Sequence, residues 1–266
     1  MTRVSTDHSG PQYGPQYSGS GDPKRSIELL WGIQERPKRG PKPRLTVERI
    51  ARAGIEVADA EGLAALSMRQ VADRVGVGTM SLYTYVPGKA ELIDVMLDTV
   101  YGELVAADEV PGGWRAKLEH VARQNWALFH RHPWTLQVAA SRPALGPNAT
   151  TKYDYELRAV EGIGLTDLEM DAVVSLIVGH AEGAARRAVD AAEAERRTGL
   201  TDLQWWEAYS PLLDEVVDAN QFATAARVGQ AAGTAYGAAH DFEYGFEFGL
   251  QRVLDGIEGL VRGRGS

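Results

Sequence analysis

From Thr46 to near the C-terminus, apolar residues recur at spacings of three and four and almost never alternate one by one. A period near 3.6 marks helices with one buried face, and the absence of a two-residue period removes sheets from the choice of folds. The chain is therefore expected to be all-α. A first helix begins at Thr46 as N-cap and ends at Gly62, and Gly54 inside it points to a close helix contact, since glycine costs about 1 kcal/mol there against alanine. Further helices are expected over roughly 67–75, 79–85, 89–107, 113–132, 134–141, 147–162, 166–197, 201–219 and 241–262, separated by Gly and Pro punctuation. Residues 223–240, rich in Ala and Gly, read as a loop or a frayed helix end.

At 266 residues with 44% hydrophobic residues and no cysteine, the chain can bury real cores without disulfides. Thiolate nucleophiles and Cys-based zinc sites are excluded. No run of about 18 apolar residues is present to span a membrane, and the N-terminus lacks a signal-peptide core, so a cytoplasmic location is expected. Residues 1–23 are dominated by Gly, Ser, Pro, Gln and Tyr, and residues 1–35 are expected to be a mostly disordered tail. Within it, Ile27–Trp31 reads as a helical turn of unassigned role.

The net charge of −8 argues against a nucleic-acid partner until its distribution is followed along the chain. Residues 36–89 hold ten Lys/Arg against five acids, while residues 90–266 are strongly acidic. A basic head on an acidic body suits DNA binding by one module and another task for the other. The division expected is a basic arm at 36–45, a DNA-binding domain at 46–92 and a regulatory and dimerisation domain at 93–266. The arm, Arg36 to Arg44, carries five cations including Lys42 and Arg44 among three prolines. It can lie along phosphates or enter a minor groove, or serve only as a solubilising linker.

Ser67-Met-Arg-Gln70 has the form of a capping box and opens a helix. Val71, Ala72, Val75 and Leu82 then fill the positions of a small two-helix core, and Gly76 sits where the turn demands positive φ. Any tight helical hairpin would satisfy this spacing. What favours a helix-turn-helix is the exposed face of the second helix, Gly78-Thr-Met-Ser-Leu-Tyr-Thr-Tyr85, which is short, polar and aromatic where a solvated helix would carry Glu and Lys.

These residues are similar to those of the tetracycline-repressor (TetR) family over about residues 44–95. The resemblance rests on Thr46-Val-Glu-Arg-Ile50, Ala58-Asp-Ala-Glu-Gly62, Leu66-Ser-Met-Arg-Gln-Val-Ala72, Val75-Gly-Val-Gly-Thr-Met-Ser-Leu-Tyr83 and Tyr85-Val-Pro-Gly-Lys-Ala-Glu-Leu92. It implies a three-helix DNA-binding head, a larger helical-bundle body that binds ligand and dimerises, and homodimers whose heads occupy successive major grooves of operator DNA. Carried over by motif position, Arg69 contacts base or phosphate, Thr79, Met80 and Ser81 face the groove floor, and Tyr83, Tyr85 and Lys89 grip phosphates. With the helix starts at Thr46 and Ser67 and the arm residues Lys42 and Arg44, these complete the expected DNA-facing set.

The body resembles the C-terminal domain of the tetracycline repressors through His130-Arg-His-Pro133, Ser141-Arg-Pro143 and Val178-Gly-His180. That implies a ligand pocket in each subunit. The metal-binding histidines of those repressors are replaced by Val138 and, in an ungapped match, Val105, so no metal and no cofactor are expected. The body is rich in aromatics, and its expected pocket involves Trp126, Phe129 and Trp134 with Arg142, His180 and Glu182 as polar contacts, ordinary core packing being the rival reading. Ile177, Ala181, Ala184, Phe246, Gly249, Leu250 and Val253 lie on wide apolar helix faces, expected to form a four-helix dimer interface or else the internal core of one subunit.

Three functions compete: a ligand-responsive regulator, most simply a repressor; a ligand-independent DNA-binding protein or an activator; and a helical enzyme with an accessory head. The enzyme would need a convergent acid/base constellation, and none is evident.

Overall fold

The computed structural model describes residues 19, 21–33, 45–107, 110–138, 145–218 and 220–264, among which every regular element is helical. None of these helices is long and apolar enough to cross a membrane. The chain divides into two compact units, residues 1–101 with 137–149, and residues 102–136 with 150–266.

The first unit holds α1 (Pro23–Leu30), α2 (Val47–Glu61), α3 (Met68–Val75), α4 (Thr79–Tyr83) and α5 (Lys89–Tyr101). Thr46 caps α2 by accepting from the Arg49 N–H at 3.1 Å. Gly62, at φ 84°, ends it. Helix α2 packs on α3 and α5. At Gly54 the backbone of α2 comes close to α5, because a Cβ there would lie 2.7 Å from the Met96 sulfur. Half of the expected capping box forms: Ser67 Oγ accepts from the Gln70 N–H at 3.3 Å. The Gln70 carboxamide does not reach back to the Ser67 backbone; its oxygen accepts the Ser67 hydroxyl, and its nitrogen donates to Glu61. Gly76 is left-handed, and Val71, Ala72, Val75 and Leu82 are buried.

Two expectations need correction in this unit. Helix α5 stops at Tyr101, before Gly102, rather than near 107. Residues 23–30, within a segment expected to be a mostly disordered tail apart from a helical turn at Ile27–Trp31, form α1 and pack on α5. Asp22 caps α1 by accepting from the Lys24 and Arg25 N–H groups, Pro23 occupies the first turn, and Leu29 is buried.

The second unit is built on α6 (Trp114–Arg131), most of α7 (Pro147–Arg158), α8 (Asp167–Thr198), α9 (Asp202–Val216), α10 (Ala223–Tyr236) and α11 (Phe242–Arg264). Helix α8 packs on both α6 and α11. Its capping box at Thr166 and Glu169 is complete, and Gly199 closes it in the left-handed conformation. The core gathers Leu118, Val121, Phe129, Tyr155, Ile177, Phe246 and Leu250 among others. The helix expected at 134–141 is a 3₁₀ turn, Pro133–Gln137, with residues 139–144 outside the described set. The stretch 223–240, expected as a loop or a frayed helix end, is largely α10, whose alanines favour helix and whose Gly233 leaves room for Trp206, 3.2 Å from where a Cβ would stand.

Candidate DNA interface and effector site

In the helix-turn-helix, burial of one face of α4 dictates which residues the other face presents. Leu82 is fully buried, while Met80 is 78% exposed and Ser81 and Tyr83 are also on the surface, with Thr79 half-buried. Arg69 is exposed and has no ion pair among the described residues, whereas Arg52 and Arg74 are taken up by Glu48 and Glu56. Ser67, Tyr85 and Lys89 are half-buried, and burial pulls the Lys89 ammonium below its ordinary range. Thr46 lies at the start of α2, half-buried and engaged as its cap. Lys42 and Arg44 lie outside the described residues.

In the body, three of the expected ligand contacts come together. The Trp126 indole stacks on Phe246 with ring centroids 4.3 Å apart. The His180 imidazole stacks on Phe246 at 5.6 Å, and its Nε2 is 2.9 Å from the Phe246 carbonyl. Phe129 is buried in the same core. Trp134 is buried but pairs edge-on with His132. Glu182 does not join the group: it is half exposed and paired with Arg186 at 2.8 Å, as expected of an i,i+4 surface pair. Arg142 lies outside the described residues. His130 Nδ1 is 2.8 Å from the Trp126 carbonyl and His132 Nε2 is 3.2 Å from Glu103, so the two imidazoles serve different partners.

The body also holds a polar cluster that sequence reasoning missed. Asn125 is 1% exposed, donates from Nδ2 to Glu156 at 3.0 Å and leaves its Oδ1 without a hydrogen bond. Glu156 is also buried and accepts from Lys152 at 2.7 Å. Burial, with the Glu156 carboxylate adjacent, pushes the Tyr155 phenol well above its ordinary range. The only advance signal is an i,i+4 Lys–Glu spacing, which usually marks solvated surface.

The dimer-face expectation requires correction. Ile177, Ala181, Ala184, Phe246 and Leu250 are between 0% and 3% exposed within a single chain, so they belong to its own core. Val253 packs against that core, and Gly249 makes room for His180. The apolar residues that α8 and α11 turn outward are Leu168, Leu176, Tyr244, Phe248 and Leu260. Ala172, Leu176, Gly256 and Leu260 contribute to a groove of about 350 Å³ between the two helices.

The head and the body each match a known family. Residues 50–96 match bacterial regulatory proteins of the tetR family, and residues 107–261 match the tetracyclin repressor-like C-terminal domain. The chain belongs to the TetR family. An HTH-type transcriptional repressor of Streptomyces coeruleorubidus, DrrR1, is 48% identical over 260 residues, which cover 97% of this chain and 94% of that protein. An HTH-type transcriptional regulator of Saccharopolyspora erythraea is 34% identical over 52% of this chain and 59% of its own length. Among solved structures, apo ActR from Streptomyces coelicolor is 25% identical, with a TM-score of 0.66 over 85% of this chain and 99% of ActR. ActR in complex with actinorhodin, 24% identical, has the same TM-score over 82% and 96% and attests the shared fold. The TetR family is regulatory, and this chain is accordingly a DNA-binding transcriptional regulator with an all-helical head and body.

Proposed function

We propose that this TetR-family chain is a repressor that binds a palindromic operator as a homodimer in the cytoplasm and is released by a small, largely apolar effector taken up in the body. The observation that carries the DNA-binding part is the division of labour on α4, which buries Leu82 and exposes Met80, Ser81 and Tyr83. Direct base readout comes from Thr79, Met80 and Ser81, while Arg69, Tyr83, Tyr85 and Lys89, with Lys42 and Arg44 of the arm, hold phosphates. A second copy covers the outward apolar face of α8 and α11, placing the two heads roughly 34–36 Å apart, one DNA turn.

The effector is received where Trp126, Phe246 and His180 stack, Trp126 coming from the helix that also carries Asn125. An aromatic layer gives contact area, and the unpartnered Asn125 Oδ1 offers an acceptor to a donor-bearing ligand. Binding there is relayed along the chain through Tyr101–Gly102 to α5. By linkage, an effector that weakens operator binding must itself bind the operator complex more weakly by the same factor. The test begins with selection of a duplex from random DNA and a thermal-shift screen for effectors. Effector affinity is then measured with and without that duplex, for the wild type and for Trp126→Ala. Weaker effector binding to the complex, and loss of the response in Trp126→Ala with operator binding retained, are expected. Equal affinities in the two conditions would rule out release by ligand.

A further inference from the structure

Helix α5, which begins at Lys89, carries three acids, Glu91, Asp94 and Asp98, that share one face at spacings of three and four. All three are at most 7% exposed, and each accepts hydrogen bonds from outside the three-helix head. Glu91 accepts from the Asp22 N–H at 3.4 Å. Asp94 accepts from the Ser26 hydroxyl at 2.9 Å and the Gly19 N–H at 3.0 Å. Asp98 accepts from the Ala149 N–H at 2.8 Å and from Asn148. Two glycines make the approach possible: a Cβ on Gly21 would stand 2.6 Å from Glu91, and one on Gly146 would meet Asp98 head-on. The loop before α5 is drawn into the same arrangement, because a Cβ on Gly88 would lie 2.8 Å from the other Glu91 oxygen. Past the end of α1, the Trp31 indole N–H donates to the Leu145 carbonyl at 2.9 Å.

The grip is polar rather than a hydrophobic core. Helix α1 buries only Ser26 and Leu29, leaves Ile27 and Trp31 more than 40% exposed, and has beneath it a cavity of about 400 Å³. An element held this way is separable from the head it rests on. Yet it clasps Glu91, two residues beyond Lys89, and so fixes the first turn of the helix that carries the cation which, on the function proposed above, faces phosphate.

We propose that residues 21–33 are a positioning strap for operator binding: Asp22 and Ser26 hold α5 through Glu91 and Asp94 and set the stance of Lys89 without themselves touching DNA. This strap lies outside both family-matched segments. Ser26 is then a positioning residue, and its removal lowers affinity while leaving the number of phosphate contacts unchanged.

The test compares the full chain with a deletion of residues 1–33, which retains the cations of residues 36–44, and with Ser26→Asp, Ser26→Thr and the double variant Lys24→Ala/Arg25→Ala. Binding to a duplex selected with the full chain is titrated over a range of salt, and a fluorine label on Trp31 reports strap docking by NMR. The deletion and Ser26→Asp, which sets a second carboxylate against Asp94, are expected to lose about tenfold in affinity with an unchanged logarithmic salt slope. Ser26→Thr, which keeps the hydroxyl, and the double variant should bind as the wild type does. Should the deletion fail to fold by circular dichroism, Ser26→Asp with a shifted Trp31 resonance decides the matter. Wild-type affinity in a variant whose strap is absent or released overturns the proposal. So does a salt slope lowered by about two in the double variant, which would make α1 a direct phosphate contact.

Discussion

Gly249→Ala tests whether the aromatic core of the body is closed as tightly as its geometry requires. The added methyl would overlap His180 Cε1, and moving the imidazole away disturbs two contacts: it stacks on Phe246 and its Nε2 is bonded to the Phe246 carbonyl. Displacing the ring forfeits a hydrogen bond of about 1 kcal/mol and adds about 1–3 kcal/mol of overpacking. The gain in helix propensity from Gly to Ala offsets about 1 kcal/mol. The net cost is therefore about 1–3 kcal/mol, or a fall of very roughly 2–10 °C in melting temperature for a chain of this size. The control is Gly229→Ala in α10, where nothing lies within 4 Å and only the propensity gain remains. Melting temperatures of both variants and of the double variant His180→Ala/Gly249→Ala would be measured by calorimetry. The steric argument requires the double variant to lie closer to His180→Ala than additivity allows. If Gly249→Ala melts with or above Gly229→Ala, the argument is refuted.

Other outcomes follow from the same geometry. Lys89→Ala should weaken operator binding and lower the logarithmic salt slope by about one, as read in salt-dependent gel shifts, and Tyr83→Ala should weaken binding with the fold intact by circular dichroism. Asp98 has its carboxyl pushed up by burial against the opposing backbone and side-chain hydrogen bonds of Asn148 and Ala149. Its ionised form is thus disfavoured in the folded chain, and the wild type loses stability relative to Asp98→Asn as pH rises through the raised pKa. Denaturation should show the wild type gaining stability relative to Asp98→Asn as the pH falls through the raised pKa, whereas Asp98→Ala, which orphans two backbone N–H groups, should cost about 1–3 kcal/mol at pH 7. Leu176→Glu on the outward face of α8 should shift sedimentation toward the monomer, while Glu182→Ala should leave it unchanged.

The head was legible because its signals are local. Gly76 must be left-handed, Ser67 must cap, and Leu82 must be apolar where Met80 and Ser81 need not be. The body was less legible because α8 and α11 are apolar on two faces at once. Ile177 and Leu176 are neighbours in sequence, and periodicity alone cannot say which of them meets the subunit's own core. The strap was hidden by composition, since its hold depends on acids of a distant helix. The readable clue was on α5, where Glu91, Asp94 and Asp98 form a regular acidic stripe on a helix that is otherwise fit for a core. Helix α10 was ambiguous between a loop and a frayed helix end because glycines interrupt its alanines, although Gly233 is there to admit an indole.

The one-residue step from Ser81 to Leu82 has an evolutionary consequence. Met80 and Ser81, proposed to read base edges, are on the surface and the residue that anchors their helix is wholly buried, so on that proposal substitutions at the two positions alter recognition while leaving the packing of the head untouched. A lineage can therefore drift to new operators by changes at these positions without first acquiring stabilising mutations elsewhere, and libraries randomised there should consist largely of folded proteins.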